Sequence, residues 1–367
     1  MATVLGVAPV TVFLTGFPGF LGSALVERLL ARGETVACLV QETYREQAER
    51  RATELAGEDW DDRIALYEGD ITEVGLGLGA DDRKRLQASV GQVFHLAAVY
   101  DLGVEAALAE AVNVRGTEHV LAFAEGVADL ERFQYVSTCY VGGRHDGVFA
   151  EADLDVGQSF NNHYERTKFL AERRVQERMA EGLPATVYRP AITVGDSRTG
   201  ETQKYDGPYY VLQWIRRQGP VAFVPRFPGA DRHTVNVVPR DYVVDAIDAL
   251  SAMDRSEGTV YQLCDPNPPT VAHLLDTFAA ATDTRVVGVP APPELTERLL
   301  AWPPVRRIAR IEPETIPYFA HPTEYVCGNA RQDLADTDVT VPPIDSYVDR
   351  LMAFVEAHPE IAPDAMT

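Results

Sequence analysis

A tyrosine and a lysine four residues apart, Tyr164 and Lys168, are the pair whose chemistry stands out in this sequence. At this spacing a phenol and an ammonium lie on the same face of a helix. A phenol has a pKa near ~10 in isolation, and a nearby cation favours its phenolate. The pair can therefore exchange a proton with a carbonyl or hydroxyl near neutral pH. The alternative is an exposed Tyr–Lys pair, but Lys168 is one of only three lysines beside 30 arginines.

A glycine-rich turn near the N-terminus has the sequence Thr15-Gly16-Phe17-Pro18-Gly19-Phe20-Leu21-Gly22. Gly16 permits a sharp turn, Gly19 lets the backbone approach a pyrophosphate, and Gly22 allows close helix–strand packing. The free N–H groups and the dipole at the helix start favour an anion. An apolar stretch precedes the turn and a helical pattern follows it, so the turn predicts a dinucleotide site.

These residues need a framework, and the hydrophobic pattern predicts one. Strand-like runs at 10–15, 35–40, 64–68, 92–97, 132–137 and 185–189 alternate with helical stretches at 21–32, 44–58, 80–88, 106–125 and 164–181. Such alternation is typical of an α/β fold, a doubly wound (Rossmann) parallel sheet covered by helices.

Beyond residue 189 the pattern weakens, which predicts a second, smaller lobe. Residues 195–235 show no clear period, whereas 235–238, 241–253 and 259–263 return to strand–helix alternation. Helices are expected at 271–282 and 294–302. We expect a nucleotide-binding domain over 1–194, completed by 236–264, and a substrate-binding lobe from 195–235 and 265–367.

Three further motifs follow the turn in order: Gly69-Asp70-Ile71, His95-Leu96-Ala97-Ala98 and Asn113-Val114-Arg115-Gly116-Thr117. Together with the turn and the Tyr-x-x-x-Lys pair, they resemble the extended short-chain dehydrogenase/reductase superfamily. The resemblance implies that Asp70 and Ile71 bind the adenine end, and that Leu96, Ala97 and Ala98 let the cofactor lie against the backbone.

The same resemblance implies a catalytic set. Thr138 matches the family's catalytic Ser/Thr, with Ser137 as the competing assignment, and Tyr164 moves the proton. Lys168 supports Tyr164 and also contacts the cofactor, and Asn113 supports the lysine. Pro190, Ala191 and Ile192 are further cofactor-binding positions, and Tyr164 belongs to both sets.

The choice of nicotinamide nucleotide depends on the end of the second strand. An acidic residue there would bind the ribose 2′-hydroxyl and repel a 2′-phosphate. This chain has Gln41, where similar reductases often carry Arg. Arg45, Arg50 or Arg51 could supply the phosphate contact. We therefore expect NADP(H) rather than NAD(H).

The stretch 189–200, Arg-Pro-Ala-Ile-Thr-Val-Gly-Asp-Ser-Arg-Thr-Gly, resembles thioester-reductase-like proteins. These include reductase domains of peptide synthetases, carboxylic acid reductases and fatty acyl-CoA reductases. The resemblance implies hydride transfer to a carbonyl of a small molecule, an acyl thioester, an aldehyde or a ketone. A sugar-nucleotide epimerase using NAD is the alternative enzyme, and a non-catalytic nucleotide-sensing protein is an alternative of another class.

Composition limits the partners. The 367 residues carry a formal charge of −22, which argues against nucleic acid because phosphate binding needs clustered Lys and Arg. No apolar run approaches the ~20 residues of a membrane span. The four cysteines have neither metal nor disulfide spacing, which indicates a reduced cytoplasm and no metal site. Abundant carboxylates with scarce lysine indicate a halophilic protein. Monomer and homodimer both stay open.

Overall fold

The fold is described from a computed structural model, which describes residues 11–226, 228–292, 296, 298, 302 and 313–361. Its strands are β1 (Val12–Thr15), β2 (Val36–Val40), β3 (Ile64–Glu68), β4 (Gln92–His95), β5 (Arg132–Val136), β6 (Gly147–Phe149), β7 (Ala185–Pro190), β8 (Ile192–Val194), β9 (Val221–Arg226), β10 (Val237–Pro239), β11 (Val260–Leu263), β12 (Arg285–Pro290) and β13 (Thr323–Tyr325). Its helices are α1 (Phe20–Ala31), α2 (Arg45–Ala56), α3 (Ala80–Ser89), α4 (Ala106–Ala109), α5 (Gly116–Glu125), α6 (His163–Ala180), α7 (Pro208–Arg217), α8 (Arg240–Ser251), α9 (Val271–Ala281), α10 (Gly328–Asp333) and α11 (Val348–Ala357).

Seven strands form one parallel sheet in the order β11-β7-β5-β4-β1-β2-β3. Strands β1 and β2 are buried along their whole length, as expected for a sheet covered by helices on both faces. The predicted doubly wound parallel sheet is confirmed. The strand order reverses between β1 and β4, and ligands of such sheets bind beyond the carboxyl ends of the strands at that point.

The predicted helix over 106–125 is not a regular helix. A π-helical segment, Glu110–Arg115, lies between α4 and α5. Short π segments occur often at functional sites, because they re-aim side chains that a regular helix would point elsewhere. Here the segment carries Asn113, which is buried.

The region without a clear sequence period contains ordered elements. Helix α7 begins with Pro208 in its first turn, behind Gly207 with φ +50°. Strands β9 and β12 form a separate parallel pair. Together with α9 and α11 they enclose a second apolar core. The expected helix at 294–302 lies largely outside the described residues.

The two-lobe division stays a prediction. Residues 316–334, which were expected in the smaller lobe, contact both apolar cores. Tyr318, Tyr325 and Leu334 pack into the core cluster of the large sheet, whereas Ile316 and Phe319 pack into the second core. Across the described ranges, no helix is both long enough and apolar enough to traverse a bilayer.

Candidate active site

One cleft, with a volume of about 780 Å³, opens at the carboxyl ends of the sheet strands. It brings together most of the predicted site residues: Gly16, Phe17, Pro18, Gly19, Phe20, Leu21, Gly22, Gln41, Asp70, Ile71, Leu96, Ala97, Ala98, Thr138, Tyr164, Lys168, Pro190, Ala191 and Ile192. Its size lies within the range of ~300–1,000 Å³ that is usual for small-molecule sites. Among the residues that the structure describes, no group of His, Cys, Asp and Glu side chains could hold a metal ion.

The glycine turn is shaped for a dinucleotide. Gly16 has φ +99°, and a Cβ atom there would lie 2.9 Å from the Ala97 backbone nitrogen. A Cβ at Gly22 would lie 2.3 Å from the Gly16 carbonyl oxygen. These positions therefore require glycine. Because the turn is so closely packed, the N-terminus of α1 lies at the wall of the cleft. The residues present fit a bound pyrophosphate at this helix start.

Asp70 organises the part of the cleft where β2 and β3 end. Its carboxylate accepts hydrogen bonds from the Thr72 backbone N–H at 2.7 Å and the Thr72 hydroxyl at 2.8 Å. The Gln41 amide donates to the other carboxylate oxygen at 2.8 Å. The ends of β2 and β3 are thereby tied together through Gln41 and Asp70.

The three candidate arginines differ in position. The Arg45 guanidinium donates to the Glu49 carboxylate at 2.7 Å and to the Leu66 carbonyl at 3.3 Å, so it is not part of the cleft wall. Arg50 and Arg51 do line the cleft. This difference follows from helical geometry, because α2 begins at Arg45 and turns that side chain back along the helix toward β3.

The structure also separates the two candidate hydroxyls. Ser137 donates to a buried carboxylate oxygen of Glu172 at 2.5 Å. Glu172 is itself paired with Arg189 at 2.7 Å, and both side chains are fully buried. The Thr138 hydroxyl accepts from the Tyr140 backbone N–H at 3.3 Å and lines the cleft. Ser137 lines the cleft as well, but its hydroxyl is already donated to Glu172, so Thr138 stays the predicted substrate-binding hydroxyl.

Tyr164 and Lys168 are buried one turn apart on α6. Burial raises the pKa of Tyr164, a hydrogen bond with Thr138 lowers it, and the Glu165 and Asp206 carboxylates raise it further. Burial lowers the pKa of Lys168 to about 8, against the opposing effect of Glu172. At neutral pH the phenol is thus protonated and the lysine is still a cation.

The lysine has fixed partners. Its Nζ donates to the Val136 carbonyl at 2.9 Å and lies 4.7 Å from the centre of the Tyr135 ring.

Asn113 is not on the cleft wall but lies behind it. Its side chain accepts from the Val99 N–H at 2.9 Å and donates to the Thr167 hydroxyl at 3.0 Å, one residue before Lys168. Asn113 therefore joins the loop after β4 to α6, the helix that carries Tyr164 and Lys168.

The sequence profile of an NAD-binding family described as "Male sterility protein" matches residues 14–247. The match covers more than half of the chain. The chain belongs to this family. The predicted membership among extended, thioester-reductase-like short-chain reductases is confirmed as well.

Relatives of this male sterility family member are reductases and synthetase domains. A linear gramicidin synthase of Brevibacillus parabrevis is 29% identical over 268 residues, 69% of this chain and 5% of that protein. The "Fatty acyl-CoA reductase wat" of Drosophila melanogaster is 28% identical over 277 residues, 64% of this chain and 53% of that protein. The chain thus spans at most about half the length of these two relatives.

Solved structures agree on the fold. The terminal R domain from the myxalamid PKS-NRPS biosynthetic pathway is 25% identical with a TM-score of 0.81, over 98% of this chain and 94% of that one. MoeE5 in complex with UDP-glucuronic acid and NAD is 18% identical with a TM-score of 0.65, over 95% of this chain and 99% of that one. The second likeness shows the fold alone.

Several residues of the site were missed by the sequence patterns. His95 bridges the Thr15 hydroxyl at 2.7 Å and the Thr117 hydroxyl at 3.0 Å. Burial, with a smaller effect of Lys168, lowers the pKa of His95 to about 3, so the ring is neutral. The His95-Leu96-Ala97-Ala98 and Gly116-Thr117 motifs contained two of these partners, but only the fold reveals that they meet.

A second missed group lies over the catalytic tyrosine. Tyr100 packs edge-on against Tyr164, with ring centres 5.0 Å apart. Lys204 donates to the Tyr100 carbonyl at 3.2 Å and pairs with Asp206 at 2.9 Å. Lys204 and Asp206 come from the stretch 195–235, whose lack of period left no signal except the rarity of Lys204 itself.

Proposed function

We propose that this protein is an NAD(P)H-dependent reductase that transfers a hydride to the carbonyl of an apolar acyl thioester, aldehyde or ketone. The observation that carries the proposal is the meeting of Thr138, Tyr164 and Lys168 with the glycine turn in one cleft. When bound, the reduced nicotinamide supplies the hydride that the carbonyl carbon accepts.

Each side chain then has a defined task. The Thr138 and Tyr164 hydroxyls hold the substrate oxygen and stabilise the negative charge that develops on it. Tyr164, protonated because of its burial, gives its proton to that oxygen. The Lys168 ammonium favours the phenolate that remains. A protonated tyrosine is the state that reduction needs, because the phenol must donate a proton to the substrate oxygen.

The substrate side of the cleft supports an apolar substrate. Seven apolar side chains line the cleft beside the polar Thr202, Gln203, Lys204, Asp206 and Thr315: Leu102, Leu108, Val112, Pro208, Val235, Leu274 and Phe319. Two of the wall residues, Tyr100 and Leu108, remain over a third exposed to solvent. Covering them with an alkyl or aryl group is favourable by about 25 cal/mol per Å².

NADP(H) is the proposed nucleotide. Arg50 and Arg51 line the adenine end of the cleft, and Gln41 carries no charge there. The Arg51 Nε atom is buried with no hydrogen-bond partner among the described residues. The other guanidinium nitrogens pair with Glu54 at 2.8 Å and Glu201 at 3.8 Å, so a 2′-phosphate would compete with these carboxylates for Arg51. Exchanging Arg51 for Ala should weaken NADPH binding at least tenfold and leave NADH binding unchanged, as measured by fluorescence titration with both nucleotides.

A cytoplasmic location is proposed on separate grounds. All four cysteines, Cys38, Cys139, Cys264 and Cys327, are free and buried. Free buried thiols are typical of reducing compartments. Salt adaptation also stays part of the proposal, since the charge of −22 supports it.

The test is NADPH consumption with acyl-CoA, aldehyde, ketone and sugar-nucleotide panels, in low and high salt. We expect turnover with at least one of the first three. Tyr164→Phe should abolish turnover and keep nucleotide affinity, because only the phenolic proton is lost. Turnover restricted to sugar nucleotides, or normal activity of the Tyr164→Phe variant, would contradict the proposal.

The matched control is Tyr261→Phe. Tyr261 is a buried tyrosine on β11, outside the cleft, whose hydroxyl donates to Asp333 at 2.6 Å. This variant loses one buried phenolic hydroxyl, as Tyr164→Phe does, but it should turn over at the wild-type rate.

A further inference from the structure

Tyr318 lies in the C-terminal part of the chain, where no sequence motif pointed to the site. It belongs to the 3-10 segment Pro313–Ala320 and lines the cleft together with Tyr140 and Tyr164. The side chain is buried, and its ring packs into the core of the large sheet. Its chain neighbour Phe319 packs into the second core instead. The segment thus connects the two cores beside the catalytic helix.

The Tyr318 hydroxyl reaches the start of that helix. It donates to the Glu165 carboxylate at 2.6 Å and accepts from the Asn162 side-chain amide at 2.9 Å. Asn162 and Glu165 flank Tyr164 on either side in the chain. One phenol therefore holds both ends of the four-residue stretch from which the proton-donating side chain projects.

Glu165 depends on hydrogen-bond donors of the protein for its solvation. The residue is fully buried, and its carboxylate accepts from the Asn161 backbone N–H at 2.7 Å and the Asn161 amide at 3.0 Å. Asn162 caps the helix by accepting from the Glu165 N–H at 2.9 Å. A buried carboxylate that loses one donor shifts or rearranges, because an unmet charge in a low-dielectric site is costly.

The ring of Tyr318 also contacts the other half of the site. It packs edge-on against Tyr140, with ring centres 5.0 Å apart at 76°. The Tyr140 backbone N–H donates to the Thr138 hydroxyl. A displacement of Tyr318 would therefore shift both Thr138 and Tyr164, the residues proposed to hold the substrate oxygen.

We propose that Tyr318 is a positioning residue, which through its hydrogen bond to Glu165 fixes the start of the catalytic helix and with it the Tyr164 phenol. The inference rests on the proposed function for its kinetic test. Its structural test does not require a substrate.

The kinetic test compares Tyr318→Phe with Tyr261→Phe, which loses a phenol–carboxylate hydrogen bond of the same length away from the cleft. Tyr318→Phe should lower kcat about tenfold, as expected for the loss of one hydrogen bond to a charged group. The KM and the nucleotide Kd should change less than twofold. Tyr261→Phe should leave all three values unchanged.

A double-mutant cycle separates positioning from substrate contact. If Tyr318 acts through Glu165, Tyr318→Phe changes kcat less than twofold in a Glu165→Ala background. An undiminished tenfold effect in that background would overturn the inference, because Tyr318 would then act on the substrate directly. Glu165→Met, which also removes the acceptor oxygens but fills more of the buried space, replaces Glu165→Ala if the latter fails to fold.

The structural test uses the protein labelled with ¹³Cζ-tyrosine. The Tyr164 resonance is identified by its loss in Tyr164→Phe. It should shift or broaden in Tyr318→Phe and remain unchanged in Tyr261→Phe. An unchanged Tyr164 resonance in Tyr318→Phe would refute the inference even if no substrate were found, whereas a wild-type protein inactive on the whole panel would refute only the proposed function.

Discussion

Removing the charge of Lys168 should stabilise the protein while it abolishes the proposed activity. Burial lowers the pKa of this lysine from 10.5 to about 8. Between these values the unfolded chain binds more protons than the folded one, so stability rises with pH. At pH 7 the buried ammonium costs the folded state about 3 kcal/mol, and at pH 9.5 the cost is about 1 kcal/mol.

Lys168→Met keeps the length of the side chain and removes the ammonium. It also leaves the Val136 carbonyl without its donor, a loss of about 1 kcal/mol. The net expectation is a free energy of unfolding about 2 kcal/mol higher than wild type at pH 7, with most of this gain gone by pH 9.5. Such a gain on removing a functional group is typical of sites that trade stability for activity.

Urea unfolding of both proteins at pH 7 and pH 9.5 measures the difference, with no nucleotide present. Lys84→Met is the control, because Lys84 is exposed and should change stability by less than about 0.5 kcal/mol at either pH. A Lys168→Met variant less stable than wild type at pH 7 would refute the reasoning. A gain that stayed constant with pH would refute the electrostatic cause.

Three other outcomes are expected. Gly16→Ala should abolish nucleotide binding in calorimetry, because its Cβ would lie 2.9 Å from the Ala97 nitrogen at φ +99°; Gly33→Ala, with φ +91° but open space, should only lose stability. Arg189→Met should lower the unfolding free energy in urea by roughly 3–5 kcal/mol, since it leaves Glu172 buried without its partner, and a loss below 1 kcal/mol would contradict this. NADPH turnover should persist or rise in molar KCl, and irreversible loss there would remove the halophilic interpretation.

Local patterns predicted the residues that depend on local geometry. The glycine turn needs a positive φ at Gly16 and a close approach at Gly22, and both requirements are visible in the sequence. Tyr164 and Lys168 share a helix face by spacing alone. The parallel sheet was predicted from the alternation of short strands with helices.

Contacts between distant segments could not be predicted in this way. The resemblance favours Thr138 over Ser137, but the sequence does not show that the Glu172–Arg189 pair, from α6 and β7, engages the Ser137 hydroxyl. Arg45 is a plausible phosphate ligand until the start of α2 is known. Tyr318 gives no signal at all, since 153 residues separate it from the carboxylate that it binds.

The π-helical segment has a consequence of another kind. A π turn contains one backbone residue more than the α turn it replaces. Asn113 faces Val99 and Thr167 only because that surplus residue is present in Glu110–Arg115. The site therefore depends on the length of the chain at this point as well as on its side chains. Deleting a single residue from the segment, with every named side chain retained, would rotate Asn113 by roughly 100° and disconnect it from the catalytic helix.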